Sequence, residues 1–253
     1  MNLVGLYTLF AKEVWRFFKV VVQTVLTPAI TSLLFLVVFG QALRGHVEVF
    51  PGVDYITFLV PGLIMMTVIQ NAFANSSSSL IQAKMNGSVL FMQVAPLSPL
   101  EILLAYTGAA VVRGALCGAV VWLAALPFVD LPLQSLGWVL LFGILASAVL
   151  GMLGLIAGIW ASKFDQMAAF QNFIIVPLSF LSGVFYSVAT LPSPWQELSR
   201  MNPFFYMIDG FRYGFFGISD VSPWLSLSVV AGALLLCALL TGWMLRSGYR
   251  MRE

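Results

Sequence analysis

The feature that most constrains this chain is where charge is missing. Residues 20–43, 55–83, 131–162, 166–196 and 221–245 contain no Lys, Arg, Asp or Glu. Each stretch exceeds the roughly 20 apolar residues that cross a bilayer as a helix. A sixth stretch, 102–126, is interrupted only by Arg113 and is rich in small residues. Composition agrees, with 60% apolar and 9% charged residues against about a quarter charged in an ordinary soluble domain. The chain therefore reads as an all-α membrane protein, one domain over 1–253 with six transmembrane helices. They are expected at 20–43, 57–80, 102–126, 136–160, 167–188 and 223–245.

Six spans put both termini on one side, and basic residues near the span ends say which. Lys12, Arg16, Lys19, Lys84, Lys163, Arg246, Arg250 and Arg252 fall on one face, against Arg44, Arg200 and Arg212 on the other. The termini are expected in the cytoplasm. Residues 1–19 do not read as a secretory signal, because their charges directly precede the hydrophobic span and no cleavage site follows. Leu3, Leu6, Phe10, Val14 and Phe17 recur at helical spacing opposite Lys12, Glu13, Arg16 and Lys19. This pattern suits an amphipathic interfacial helix on the lipid bilayer; a plain positive-inside anchor is the alternative.

Residues 189–222 should form a watery loop, yet contain Trp195, Phe204, Phe205, Tyr206, Phe211, Tyr213, Phe215 and Phe216. Ser193 with Gln196 resembles a capping box, and Asn202-Pro203 places a cap before a helix-starting proline. A short outer-leaflet helical hairpin, re-entrant and packed on the spans, is expected before the last span. An aromatic belt would give the same composition.

Several chemistries are excluded. A net charge of +2 gives no reason to expect nucleic acid as a partner. Cys117 and Cys237 lie in apolar stretches and His46 is the lone histidine, so neither a disulfide framework nor a metal site is expected. None of Lys12, Lys19, Lys84 and Lys163 follows a glycine, so there is no Walker A loop. Ser182-Gly183 looks superficially nucleophilic, but His46 is outside the spans, and helix packing explains the pair better. Ser76 to Ser79, Gly114 with Gly118 and Gly154 with Gly158 read as helix contacts. No Asp or Glu lies well inside a span, which argues against ion-coupled transport. Arg113 stands alone, roughly 16 Å deep in a ~30 Å core. Its charge needs helix-end carbonyls, a wet cavity, or an acid such as Asp209, in a pathway or in a structural ion pair.

Two blocks carry a family resemblance. Residues 82–103 read Gln-Ala-Lys-Met-Asn-Gly-Ser-Val-Leu-Phe-Met-Gln-Val-Ala-Pro-Leu-Ser-Pro-Leu-Glu-Ile-Leu. The second block has Phe-Leu-Ser-Gly-Val-Phe-Tyr-Ser at 180–187, Leu-Pro-Ser-Pro-Trp at 191–195 and Asn-Pro-Phe-Phe-Tyr-Met-Ile-Asp-Gly-Phe-Arg-Tyr-Gly at 202–214. Their order and topology resemble the ABC-2 type permeases, membrane subunits of bacterial ATP-binding-cassette exporters, and most the YadH-like permeases.

The resemblance implies a homodimer in the bacterial inner membrane with two copies of a separate ATPase, which alone would bind ATP and Mg. No cofactor or catalytic residue is expected in this chain. It further implies that 82–100 is a cytoplasmic coupling segment. Family members often carry acidic residues after its glycine; here Gly87 precedes Ser-Val-Leu-Phe-Met-Gln. The docking face is therefore expected to be apolar, with Met85, Val89 and Met92 on one side and Lys84, Asn86 and Gln93 on its rim. Gate candidates are Arg113, Gly183, Asn202, Pro203, Asp209 and Arg212. The expected function is export of an amphipathic, lipid, polysaccharide or drug-like substrate; a self-contained channel or uncoupled flippase is the alternative.

Overall fold

A computed structural model of the chain describes residues 2–42, 48–50 and 52–250. Arg44, His46 and Arg252 lie outside the described residues. Helix α1 (Leu3–Phe18) leads through a π-helical turn (Val22–Leu26) into α2 (Thr27–Ala42). Two short antiparallel strands, β1 (Glu48–Phe50) and β2 (Val53–Asp54), pair Phe50 with Val53. Helices α3 (Tyr55–Met85), α4 (Val89–Val94), α5 (Pro99–Ala125) and α6 (Leu136–Trp160) follow. Then come α7 (Phe164–Phe170), a second π turn (Gln171–Ile175), α8 (Val176–Phe180), α9 (Ser193–Met201), α10 (Pro203–Phe216) and α11 (Pro223–Ser247).

Among the described residues, five helices are long and apolar enough to cross a membrane: Val22–Gly40, α3, α5, α6 and α11. The stretch expected to be helical over 167–188 differs. Its helical run spans α7, the π turn and α8, and ends at Phe180. Gly183 then adopts φ +77° and the chain leaves the helix. Hydropathy could not mark this stop, because residues 181–186 stay largely apolar across the turn.

Helix α3 is the axis of the bundle and packs against α2, α5, α6 and α10. It is buried along nearly its whole length, whereas Val22–Gly40 and α11 leave most of their surface exposed. Close approach depends on missing side chains. A Cβ on Gly158 would lie 3.0 Å from Leu80 Cβ, and one on Gly154 would run into the Phe73 carbonyl. On α5, Gly114 and Gly118 do the same against Ser147 and Val68. The small-residue pairs are thus helix contacts, as their spacing suggested. Phe58, Met65, Phe73, Phe142, Phe204 and Phe215 fill the main core. Leu9, Leu80, Val89, Tyr106 and Ile159 form a second core beneath α1 and α4.

Candidate functional site

The segment after α3 is tightly seated. Asn86 closes α3 by donating its N–H to the Gln82 carbonyl at 3.0 Å, and Gly87 turns the chain at φ +69°. The Lys84 ammonium donates to the carbonyls of Ile159 and Ala161 at the end of α6. It therefore ties two helix ends together, a favourable place for a cation, rather than standing on a docking rim. In α4, Val89 is buried in the core beneath α1, and Met92 Sδ accepts from the Tyr106 hydroxyl at 3.8 Å. The exposed side chains are Met85, Leu90, Phe91 and Val94. This corrects the expected face: only Met85 of the three apolar residues points outward. Residues 89–92 are all apolar, so periodicity carried no information about orientation. Gln93 lies within α4.

The start of α5 explains the seating. Ser98 Oγ accepts from the Glu101 N–H at 3.3 Å while Glu101 Oε2 accepts from the Ser98 N–H at 2.7 Å, a complete capping box. Glu101 Oε1 also accepts from the Asn2 N–H, which fastens the beginning of α1 to this corner. The Ser-Pro-Leu-Glu signal was present in the sequence. The box expected at Ser193 does not form: α9 begins at Ser193 itself, and Gln196 Nε2 donates to the Ala189 carbonyl at 2.8 Å.

A polar ladder runs along α3. Thr67, Asn71, Asn75 and Ser78 recur three to four residues apart, so they share one face. Ser32 Oγ and Thr67 Oγ1 are 3.2 Å apart. Asn71 Oδ1 accepts from Arg113 Nη2 at 3.2 Å. Arg16 Nη2 donates to the Asn75 carbonyl and Oδ1 at 2.6 and 3.2 Å, and its Nη1 donates to Ser78 Oγ at 3.3 Å. Glu13, fully buried on α1, accepts from Lys12 Nζ at 3.0 Å and Arg16 Nε at 3.2 Å. Arg113 is therefore held by an amide of α3, not by Asp209. One turn further along α5, the Cys117 thiol donates to the Thr24 carbonyl in the first π turn at 3.6 Å.

At the other end of α3 the remaining candidates converge. Arg212 is buried, with Nη2 donating to the Gly183 and Val184 carbonyls at 2.9 and 3.5 Å and its guanidinium 3.8 Å from the Phe58 ring centroid. Gly62 makes room: a Cβ there would lie 2.7 Å from the Val184 carbonyl. Asp209 accepts from the N–H groups of Asp220 and Val221 at 2.7 and 3.3 Å. Asp220 in turn accepts from Ser187 Oγ and the Val188 N–H. Asn202 caps α10 through the Phe204 N–H at 3.0 Å and donates Nδ2 to the Leu178 carbonyl at 2.7 Å; Pro203 is the first residue of that helix. These contacts clamp the break after α8 onto α3 and the start of α11. Ser182 Oγ donates to the Ser179 carbonyl, a helix-end contact.

A profile of the ABC-2 type transporter matches residues 5–216, which takes in the seated segment, the ladder and the clamp up to the end of α10. The chain belongs to the ABC-2 type transporter family. The inner membrane transport permease YadH of Escherichia coli strain K12 is 41% identical over 218 residues, 86% of this chain and 85% of that protein. The permease of the same name from Shigella flexneri matches equally. Nodulation protein J of Rhizobium meliloti is 25% identical over 225 residues, 87% of this chain and 82% of that protein. The resemblance drawn from the two sequence blocks is thereby borne out. In this ABC-2 domain the residues that motif reading missed are Glu13, Arg16, Asn71 and Asn75 in the ladder, and Leu90, Phe91 and Val94 on α4. The spacing of Thr67, Asn71, Asn75 and Ser78 was legible; the exposed face of α4 was not.

Proposed function

We propose that this chain is the permease subunit of an ATP-binding-cassette exporter in a bacterial inner membrane. It crosses the membrane six times, with the α7–α8 run as the short fifth span and both termini cytoplasmic. It works as a homodimer with two copies of a partner ATPase, which carries ATP and Mg. The observation that carries this reading is the exposed apolar face of Met85, Leu90, Phe91 and Val94 on a segment bonded to the α1 cap Asn2 through the Pro96 carbonyl, to Tyr106 of α5 through Met92, and to the end of α6 through Lys84. Apolar surface of that kind gains roughly 25 cal/mol per Å² when a partner covers it. A movement of α4 would pass directly into α3 and α5, because the turns joining them are short. Nucleotide and substrate would then favour different arrangements of the spans, which is coupling in the thermodynamic sense. The substrate is an amphipathic, lipid, polysaccharide or drug-like molecule; the family and the apolar helices support the amphipathic class.

Copurification with a candidate ATP-binding-cassette ATPase tests the reading. Phe91→Asp should abolish copurification and nucleotide-dependent transport while changing stability by less than about 0.5 kcal/mol, since the side chain is exposed. Full-rate transport by the purified chain without nucleotide would instead assign it as a channel or uncoupled flippase.

A further inference from the structure

Two hollows follow one another along a single face of α5. The first is a cleft of about 150 Å³ between α5 and α6, with Val68 of α3 also lining it, and every residue around it is apolar or glycine. It is open because a side chain is missing: a Cβ on Gly143 would meet only Phe211 Cε2, at 3.9 Å. Leu140 and Ile144 at its margin are exposed, so in a bilayer the cleft opens toward hydrocarbon. An apolar cavity of about this size stays dry and accepts a hydrocarbon guest. The second hollow is a cavity of about 610 Å³ at the end of α5, lined by Asp54, Leu126, Asp130 and Phe216 among others. Ala115, Gly118, Trp122 and Leu126 recur three or four residues apart, so the face that walls the cleft runs on into the cavity. Asp54 and Asp130 are the charged residues that line it, and both are exposed. Asp54 stands at the N-cap of α3, yet its side chain caps no N–H there. Neither carboxylate has an ion-pair or hydrogen-bond partner among the described residues.

We infer that cleft and cavity together bind a single-chain amphiphile with a cationic head, its alkyl tail in the cleft between α5 and α6 and its ammonium at Asp54 and Asp130. The tail alone gives little selectivity, because the surrounding lipid is as apolar as the walls of the cleft. The head decides. An ammonium offers three N–H donors and no acceptor, its bonds to carboxylates are charge-assisted, and the apolar lining of the cavity strengthens the attraction relative to open water. A bilayer phospholipid would bring its phosphate against the same two carboxylates, so the occupant is a cation-headed amphiphile and not a bilayer lipid. Binding here needs no ATPase, so the site goes beyond the exporter reading and stands or falls separately from it.

The test uses the purified full-length chain in phosphatidylcholine nanodiscs, titrated with dodecylammonium, dodecanol or methylammonium, with empty nanodiscs as the blank. Dodecylammonium should bind saturably, about tenfold more tightly than dodecanol and more tightly than methylammonium, which has the head without the tail. Asp54→Asn combined with Asp130→Asn should bring dodecylammonium and dodecanol within about twofold; both positions are exposed, so the fold should survive. Gly143→Leu fills the cleft and should weaken dodecylammonium about tenfold. If that variant fails to fold, Ala115→Trp, at an exposed position on the same cleft, takes its place. The inference would be overturned by dodecylammonium binding no better than to the blank, by its preference over dodecanol persisting in the double asparagine variant, or by unchanged affinity once the cleft is filled. Equal affinity for methylammonium would remove the tail site, and competition by added phosphatidylethanolamine would hand the cleft to a bilayer lipid; either result also overturns it.

Discussion

At the α10 end of α3 one guanidinium is gripped by two main-chain carbonyls and an aromatic ring, whereas at the α1 end two guanidiniums rest on two side-chain amides, a hydroxyl, the Glu13 carboxylate and a single main-chain carbonyl. Main-chain partners are fixed by the fold around them: Gly183 cannot withdraw its carbonyl from Arg212 without unmaking the turn after α8. Side-chain amides have rotamers, and an arginine can exchange one for another. The same residue type thus serves as a rivet at one end and as an adjustable contact at the other. A transporter needs both, because a movement must have something to move against.

The largest effect should come from breaking the rivet. Arg212→Ala leaves the Gly183 and Val184 carbonyls without their donor and a cavity in place of a fully buried side chain, and should cost about 3–5 kcal/mol in all, read as a lowered unfolding temperature in detergent. A loss below about 1 kcal/mol would make the two ends equivalent. Next in size is Val89→Asp, which buries a carboxylate in the core beneath α1 and should cost about 2–3 kcal/mol. Chain recovery and unfolding temperature should fall together, in contrast with an aspartate on the exposed side of α4. Smallest in stability is Arg113→Ala, at about 1 kcal/mol, since it removes one charge-assisted hydrogen bond and a buried charge together. Its transport per assembled complex should nevertheless drop about tenfold. Equal losses of assembly and transport would return Arg113 to a purely structural role.

How much of this was legible depends on where each residue finds its partner. Helix ends were readable where the signal is local: Asn202-Pro203 opens α10 as expected, and α11 begins at Pro223, where the last span was placed. The end of α8 was not, because its stop is a glycine turn inside an apolar run, held from outside by Arg212. Arg113 stood out by depth alone, but its neighbour is 42 residues away on α3 and uncharged, so no count of acids and bases could find Asn71. The orientation of α4 failed for a similar reason. Val89 points inward into a core it shares with Leu9, Tyr106 and Ile159, residues far from it in sequence. Gly183, Asn202, Asp209 and Arg212 stood as gate candidates, with nothing in the sequence to say what each would touch; their contacts are those of a clamp.

The length of α3 has a mechanical meaning. Its 31 residues extend about 46 Å, well beyond a ~30 Å hydrocarbon core. Arg212 pins it near one end and α4 hangs from the other. Pivoting by 5° about the pinned end would sweep α4 sideways by about 4 Å, roughly the rise of three helical residues. The helix is then a lever with unequal arms: a small tilt beside Phe58 and a large stroke at Phe91 are one motion, so force applied at the far end arrives at the clamp multiplied.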